Sequence, residues 1–224
     1  MSTPLLDCVE RETGADPQWT VLWLHGLGAD GHDFEPIVPE LVRAEWPALR
    51  FVFPHAPVRA ITINNGVRMR AWYDIASFDF SRRADETGVD QSIAQVGALI
   101  AREAERGVPA SRLILAGFSQ GGAITYSLGA RREAPLAGLV ALSAYLPNVD
   151  KLASFATPAS KKQPVFSAHG LGDPVVPLQI GQASAEAMRA AGYALEWKTY
   201  PMGHQVCAEE IRDLGNWMSL RFSG

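Results

Sequence analysis

The sequence predicts an α/β fold in which a mostly parallel sheet lies between two layers of helices. Two observations lead there. Six β-rich apolar runs bounded by turn residues recur along the chain, and five stretches with helical spacing alternate with them. The runs are also apolar throughout rather than at every second position. A strand buried on one face alternates, so continuous runs imply burial on both faces, which helices above and below a parallel sheet provide.

Taken in order, WTVLWLHG (19–26) reads as the first strand and 33–45 as the first helix, with Asp33 before Phe34-Glu35-Pro36 suited to an N-cap. LRFVFPHAP (49–57) is the second strand. Residues 58–84 then break the rhythm: Asn64-Asn65-Gly66 has the composition of a hairpin turn, and Trp72, Tyr73, Phe78 and Phe80 follow with little helical period. A helix over 85–106 leads to the strand RLILAGFS (112–119) and a helix over 120–132. AGLVALSAYLP (137–147) is a strand, KLASFATPASKKQP (151–164) an exposed connection, and PVFSAHG (164–170) a strand. A helix over 177–191, the strand YALEWKTYP (193–201) and a helix over 207–221 complete the chain.

The 224 residues, 47% hydrophobic and 20% charged, form one domain on this reading, 1–224, because a chain of this size buries a sufficient core without disulfide or metal support. Twenty Lys and Arg against 24 Asp and Glu leave a net charge of -4 with no basic cluster, which disfavours nucleic acid as a partner. Cys8 and Cys207 match neither a zinc spacing nor a disulfide framework and fit a reducing compartment. The first residues lack the pattern of a secretory signal, no apolar run reaches the roughly 20 residues of a membrane span, and no lipidation motif provides an anchor. A cytoplasmic location is expected.

Gly117-Phe118-Ser119-Gln120-Gly121 fits G-x-S-x-G, a pattern that arises by chance in roughly one chain of this length in ten, so its context decides. RLILA before it reads as a strand, and the small residues after Gly122 open a helix. A tight turn between the two strains the Ser119 backbone and presents its hydroxyl at a helix N-terminus, where free amides favour developing negative charge. Serine needs a base, and the base needs an orienting carboxylate. Of His25, His32, His55, His169 and His204, the last lies in the loop YPMGHQVCAEE between the final strand and helix. Asp173, in AHGLGDPVVP, follows a late strand and lies between Ser119 and His204 in the chain.

The glycine-rich WLHGLGADG after the first strand offers the Leu27 amide as an oxyanion donor beside that of Gln120. Cys207 lacks such an elbow and is expected to be buried and structural in the first turn of the last helix. Asp30, His32 and Asp33 suggest a metal cluster until Asp33 is taken as a cap; no metal is called for.

LHGLGADGHDF, FPHAP, RAWYDI, LAGFSQGGAI, LSAYLP, HGLGDPVVP and YPMGHQVCAEEI, in this order, resemble the phospholipase/carboxylesterase family, which includes acyl-protein thioesterases and bacterial carboxylesterases. The resemblance covers nearly the whole chain. It implies an α/β-hydrolase fold without a large cap domain, and a metal-independent Ser-His-Asp esterase that needs no cofactor and takes small or medium acyl esters. An acyl-protein thioesterase or lysophospholipase with the same triad is the alternative, and a hydrolase-fold binding module without turnover is a third. The resemblance carries Leu27 and Gln120 over as oxyanion amides and ranks Trp72 and Val176, then Phe78, Leu171 and Val175, as borders of an acyl groove. A homodimer is compatible with it.

Overall fold

The computed structural model describes residues 4–77 and 85–222. Among the described residues, nine strands form a seven-stranded sheet and a separate hairpin. The large sheet contains β1 (Cys8–Glu12), β2 (Trp19–Leu24), β3 (Leu49–Pro54), β6 (Leu113–Phe118), β7 (Gly138–Leu142), β8 (Val165–Gly170) and β9 (Leu195–Tyr200) in the order β1-β3-β2-β6-β7-β8-β9. All neighbours are parallel except β1 and β3. The six predicted runs are the six parallel strands.

Two cores sandwich this sheet. Leu22, Leu24, Leu113 and Leu115 face one core, which receives Val96 and Leu99 of α2 (Glu86–Glu105), Ile124 of α3 (Gln120–Ala130) and Met188 of α5 (Leu178–Ala190). Val21, Trp23, Ile114 and Ala116 face the other, against Leu41 of α1 (Val38–Leu41) and Leu214 and Trp217 of α6 (Ala208–Phe222). Successive residues of one strand thus enter opposite cores, which is why the runs are apolar without alternation.

Three elements depart from expectation. The helix anticipated over 33–45 contracts to a 3-10 turn, Glu35–Ile37, and the four-residue α1. Pro36 and Pro39 remove helical donors, and Val42 is extended. Asp33 is not the cap: Phe34 occupies that position and no side chain caps the turn. The second departure is β1, whose sequence CVERE carries three charges. They are paired, with Arg11 on Glu35 at 2.6 Å, Glu12 on Arg50 at 2.9 Å, and Glu10 on Arg102 and Arg106 at 2.7 and 2.9 Å. The third is a short helix, α4 (Leu152–Phe155), within the expected connection. The Asn64-Asn65-Gly66 turn does join a hairpin, β4 (Val58–Ile61) and β5 (Val67–Arg70), with Asn65 left-handed at φ 53°. Among the described residues, no helix is long and apolar enough to cross a membrane.

β3 and β6 lie on opposite sides of β2, so the connections leaving the carboxyl ends of β2 and β6 part there. Such a switch point leaves a crevice at the carboxyl edge of a parallel sheet. The loop beginning at His25 and the turn containing Ser119 both open onto it.

Candidate active site

Ser119 follows β6 directly and caps α3, with φ 54° and ψ -117°. A non-glycine residue rarely adopts this conformation, which costs of order 1–3 kcal/mol and persists only where neighbours enforce it. The Ser119 amide donates to the Leu142 carbonyl at 2.8 Å, and its carbonyl accepts from Ala123 at 3.0 Å. The flanking glycines allow α3 to approach the sheet: a Cβ at Gly117 would strike the Gly121 backbone, and one at Gly121 would strike Leu24. The G-x-S-x-G spacing is therefore a steric requirement of this turn.

His204, in the loop after β9, lies 2.9 Å from the Ser119 Oγ through Nε2 and 2.7 Å from the Asp173 Oδ2 through Nδ1. A carboxylate only accepts hydrogen bonds, so the proton resides on Nδ1 and the bare Nε2 accepts the Ser119 hydroxyl. Asp173 is held in turn. Its Oδ1 accepts the amides of Val175 and Val176 at 2.8 and 2.9 Å, and the buried His169 approaches Oδ2 at 3.4 Å. His169 Nε2 faces both that oxygen and the Val176 carbonyl at 2.9 Å, so it is the protonated nitrogen. Burial lowers the His169 pKa and keeps the ring neutral.

The loop after β2 is fixed by His25. The Ala56 amide donates to His25 Nε2 at 3.1 Å, so the proton of this imidazole is on Nδ1, 2.7 Å from the Gly26 carbonyl. Burial depresses the His25 pKa to about 4, which preserves that neutral tautomer. A trans peptide points its C=O and N–H in opposite directions, so fixing the Gly26 carbonyl also fixes the Leu27 N–H. The Gly28 amide donates to the Arg70 carbonyl at 2.9 Å and ties the loop to the hairpin. A Cβ on Gly26 would lie 3.5 Å from that of Ser119, so this peptide borders Ser119. Gln120 opens α3, and its amide is one of the helix donors without an intrahelical partner.

Several expected groove residues have other positions. Trp72 is fully buried and touches no open space. Its Nε1 donates to the His25 carbonyl at 2.9 Å and its amide to the Gln120 Oε1 at 2.7 Å, so it braces the two loops that flank Ser119 instead of lining a groove. Val176 is 4% exposed, and its backbone supports Asp173 and His169. Leu171 and Val175 are exposed. Phe78 and Phe80 lie outside the described residues. Cys207 is half-buried just before α6, where its carbonyl accepts the Ile211 amide at 3.0 Å. The bracing roles of His25, His169 and Trp72 are not legible in the sequence; the only hint is that each histidine stands next to last in a predicted strand run.

The profile of the phospholipase/carboxylesterase family matches residues 8–221. The chain is 37% identical over 226 residues to acyl-protein thioesterase 1 of Neurospora crassa, covering 97% of this chain and 90% of that one. It is 33% identical over 207 residues to the carboxylesterase SOBER1 of Arabidopsis thaliana, covering 91% of each. The crystal structure of SOBER1 superposes with a TM-score of 0.86 over 91% of this chain and 98% of that one, at 32% identity. That of acyl-protein thioesterase 2 from Zea mays gives 0.83 over 96% and 99%, at 26% identity. The chain belongs to the phospholipase/carboxylesterase family and is an α/β-hydrolase of the esterase and thioesterase class.

Proposed function

We propose that the protein is a serine carboxylesterase acting on small to medium acyl esters through an acyl-enzyme on Ser119. The observation that carries this is the chain of hydrogen bonds from the Ser119 hydroxyl through His204 to Asp173, with one tautomer dictated by its acceptors. In the first half-reaction His204 Nε2 takes the hydroxyl proton as Oγ bonds to the ester carbonyl carbon. The Leu27 and Gln120 amides receive the oxyanion. Collapse breaks the bond to the leaving oxygen, which takes the proton from Nε2. Water, deprotonated by the same nitrogen, then releases the acid and restores Ser119. His204 acts here as the base in both halves.

Leu171 and Val175, exposed on either side of Asp173, are the described apolar residues that best fit contact with the acyl chain. The likeness to acyl-protein thioesterases supports a second substrate class, thioesters of lipidated cysteine, which the same chemistry cleaves. The two free cysteines support a cytoplasmic location.

A fluorophosphonate probe tests the mechanism, because only an activated serine reacts quickly. Labelling should occur in the wild type and vanish in Ser119→Ala, with turnover reduced by about 10⁴-fold or more and melting unchanged. Undiminished turnover in that variant refutes the assignment. A chain-length series of nitrophenyl esters and acyl thioesters then ranks the substrate classes.

A further inference from the structure

We infer that a cavity beside His204 is a binding site for the leaving group and selects substrates with a bulky apolar alcohol or thiol. This rests on the serine-esterase assignment above and extends it to the other half of the substrate. The cavity, of about 730 Å³, lies between the 33–43 segment and the start of α6. Phe34, Ile37, Phe118, Val206 and Ile211 contribute apolar side chains to it, and His204 completes one wall. The rings of Phe118 and His204 are 4.8 Å apart, and Phe34 meets Phe118 at 5.5 Å, so an aromatic surface runs from the catalytic imidazole into the cavity.

Stereochemistry assigns the occupant. The carbon of the tetrahedral intermediate carries Ser119 Oγ, an oxyanion, the acyl chain and the leaving atom. The oxyanion faces the Leu27 and Gln120 amides, whereas the leaving atom must lie within hydrogen-bond reach of His204 Nε2, which protonates it. The described residues bordering the cavity include His204 and Phe118 but not Leu27, Gln120, Leu171 or Val175. Ser119 itself is not on the border, so the cavity reaches the site past His204 and Phe118 and takes the part of a leaving group that extends beyond the reacting atom.

Its chemistry selects against charge at depth. Arg43, on the border, is already bonded to the Asn216 Oδ1 at 2.8 Å and the Arg212 carbonyl at 3.1 Å, and Arg212 lies 3.8 Å from Glu209. Asp33 and Glu40 are exposed at the rim. What is left for a ligand is an apolar floor in a space of ordinary ligand-pocket size.

The test fixes the acyl group and varies the alcohol. Methyl, benzyl and 2-naphthylmethyl acetate all form the same acetyl-enzyme from alcohols of similar acidity, so differences in kcat/KM report leaving-group binding during acylation. The wild type should favour the naphthylmethyl over the methyl ester at least tenfold. Ile37→Trp and Ile211→Trp, which fill the cavity, should each lower that ratio at least fivefold.

A second measurement needs no variant. Cys207 borders the cavity, and saturating 2-naphthylmethanol should slow its alkylation at least threefold; Cys8, its thiol pushed up to about 11 by burial, reacts slowly and serves as the internal control. Ratios unchanged in the folded variants, or alkylation of Cys207 unaffected by the alcohol, would overturn the inference while leaving Ser119-dependent turnover intact. Loss of Ser119 dependence would instead overturn the catalytic assignment and this inference with it.

Discussion

Glu210, in the first turn of α6, is fully buried and neither carboxylate oxygen has a hydrogen-bond partner of normal geometry. Burial pushes its carboxyl up from 4.5 to about 8, with the nearby Cys207 amide a smaller opposing influence. The unfolded chain ionises this group near 4.5 while the folded protein keeps it neutral to about 8. Its contribution to stability is therefore whole below pH 4.5 and is lost as pH rises toward 8. Each pH unit in that window costs about 1.4 kcal/mol, so about 3 kcal/mol is lost by pH 7.

His25 works in the opposite direction. Its pKa falls from 6.5 to about 4 on folding, so its contribution is whole above 6.5 and lost as pH falls through 4. Between about pH 4.5 and 6.5 the two slopes offset each other, and the wild-type curve alone would hide both. Glu210→Gln removes one of them. In urea unfolding at fixed pH, the stability difference between variant and wild type should widen by about 3 kcal/mol in favour of the variant from pH 5 to pH 7.5. A difference constant across that range would refute the reasoning, because it would mean Glu210 titrates alike in both states.

Two substitutions examine the site itself. Asp173→Asn replaces the acceptor that dictates the His204 tautomer, and kcat should fall roughly 10⁴-fold with the melting temperature little changed, as steady-state kinetics and calorimetry would show. His25→Phe keeps a ring in the buried position but removes the donor to the Gly26 carbonyl, which retains only the Ala29 amide at 3.3 Å. Since one oxyanion donor is worth about 10²–10³ in rate and this one is loosened rather than removed, kcat should fall roughly 10- to 100-fold with KM nearly unchanged; an equal rise in KM would assign His25 to ground-state binding instead.

The features legible in the sequence are those whose physics acts over short chain distances. The glycines around Ser119 are required by contacts among residues 117–122 and the adjoining strand, so the elbow is visible within one short window. The six parallel strands are visible because each satisfies two cores at once. Asp173 and His204 were located by order and loop position, which narrows the choice among five histidines but says nothing of distance. β1 was hidden because its charges are satisfied by partners distant in the chain, Glu35 for Arg11, Arg50 for Glu12, and Arg102 and Arg106 for Glu10.

Trp72 and Val176 show why apolar loop residues near a site mislead. Residue type suggests a wall against the acyl chain, yet what places them is the polar part of the same residues: the Trp72 amide and indole N–H, and the Val176 amide and carbonyl. Every residue except proline carries the backbone groups, so composition cannot reveal which of them a buried loop must pair. The same limit applies to His25 and His169, whose tautomers follow from one backbone donor in the first case and two acceptors in the second. The side chains of Ser119, Asp173 and His204 are thus held by groups that sequence does not distinguish, and replacing Trp72 with Phe, which keeps its amide but deletes the indole donor, should disturb the His25 loop while sparing the Gln120 contact.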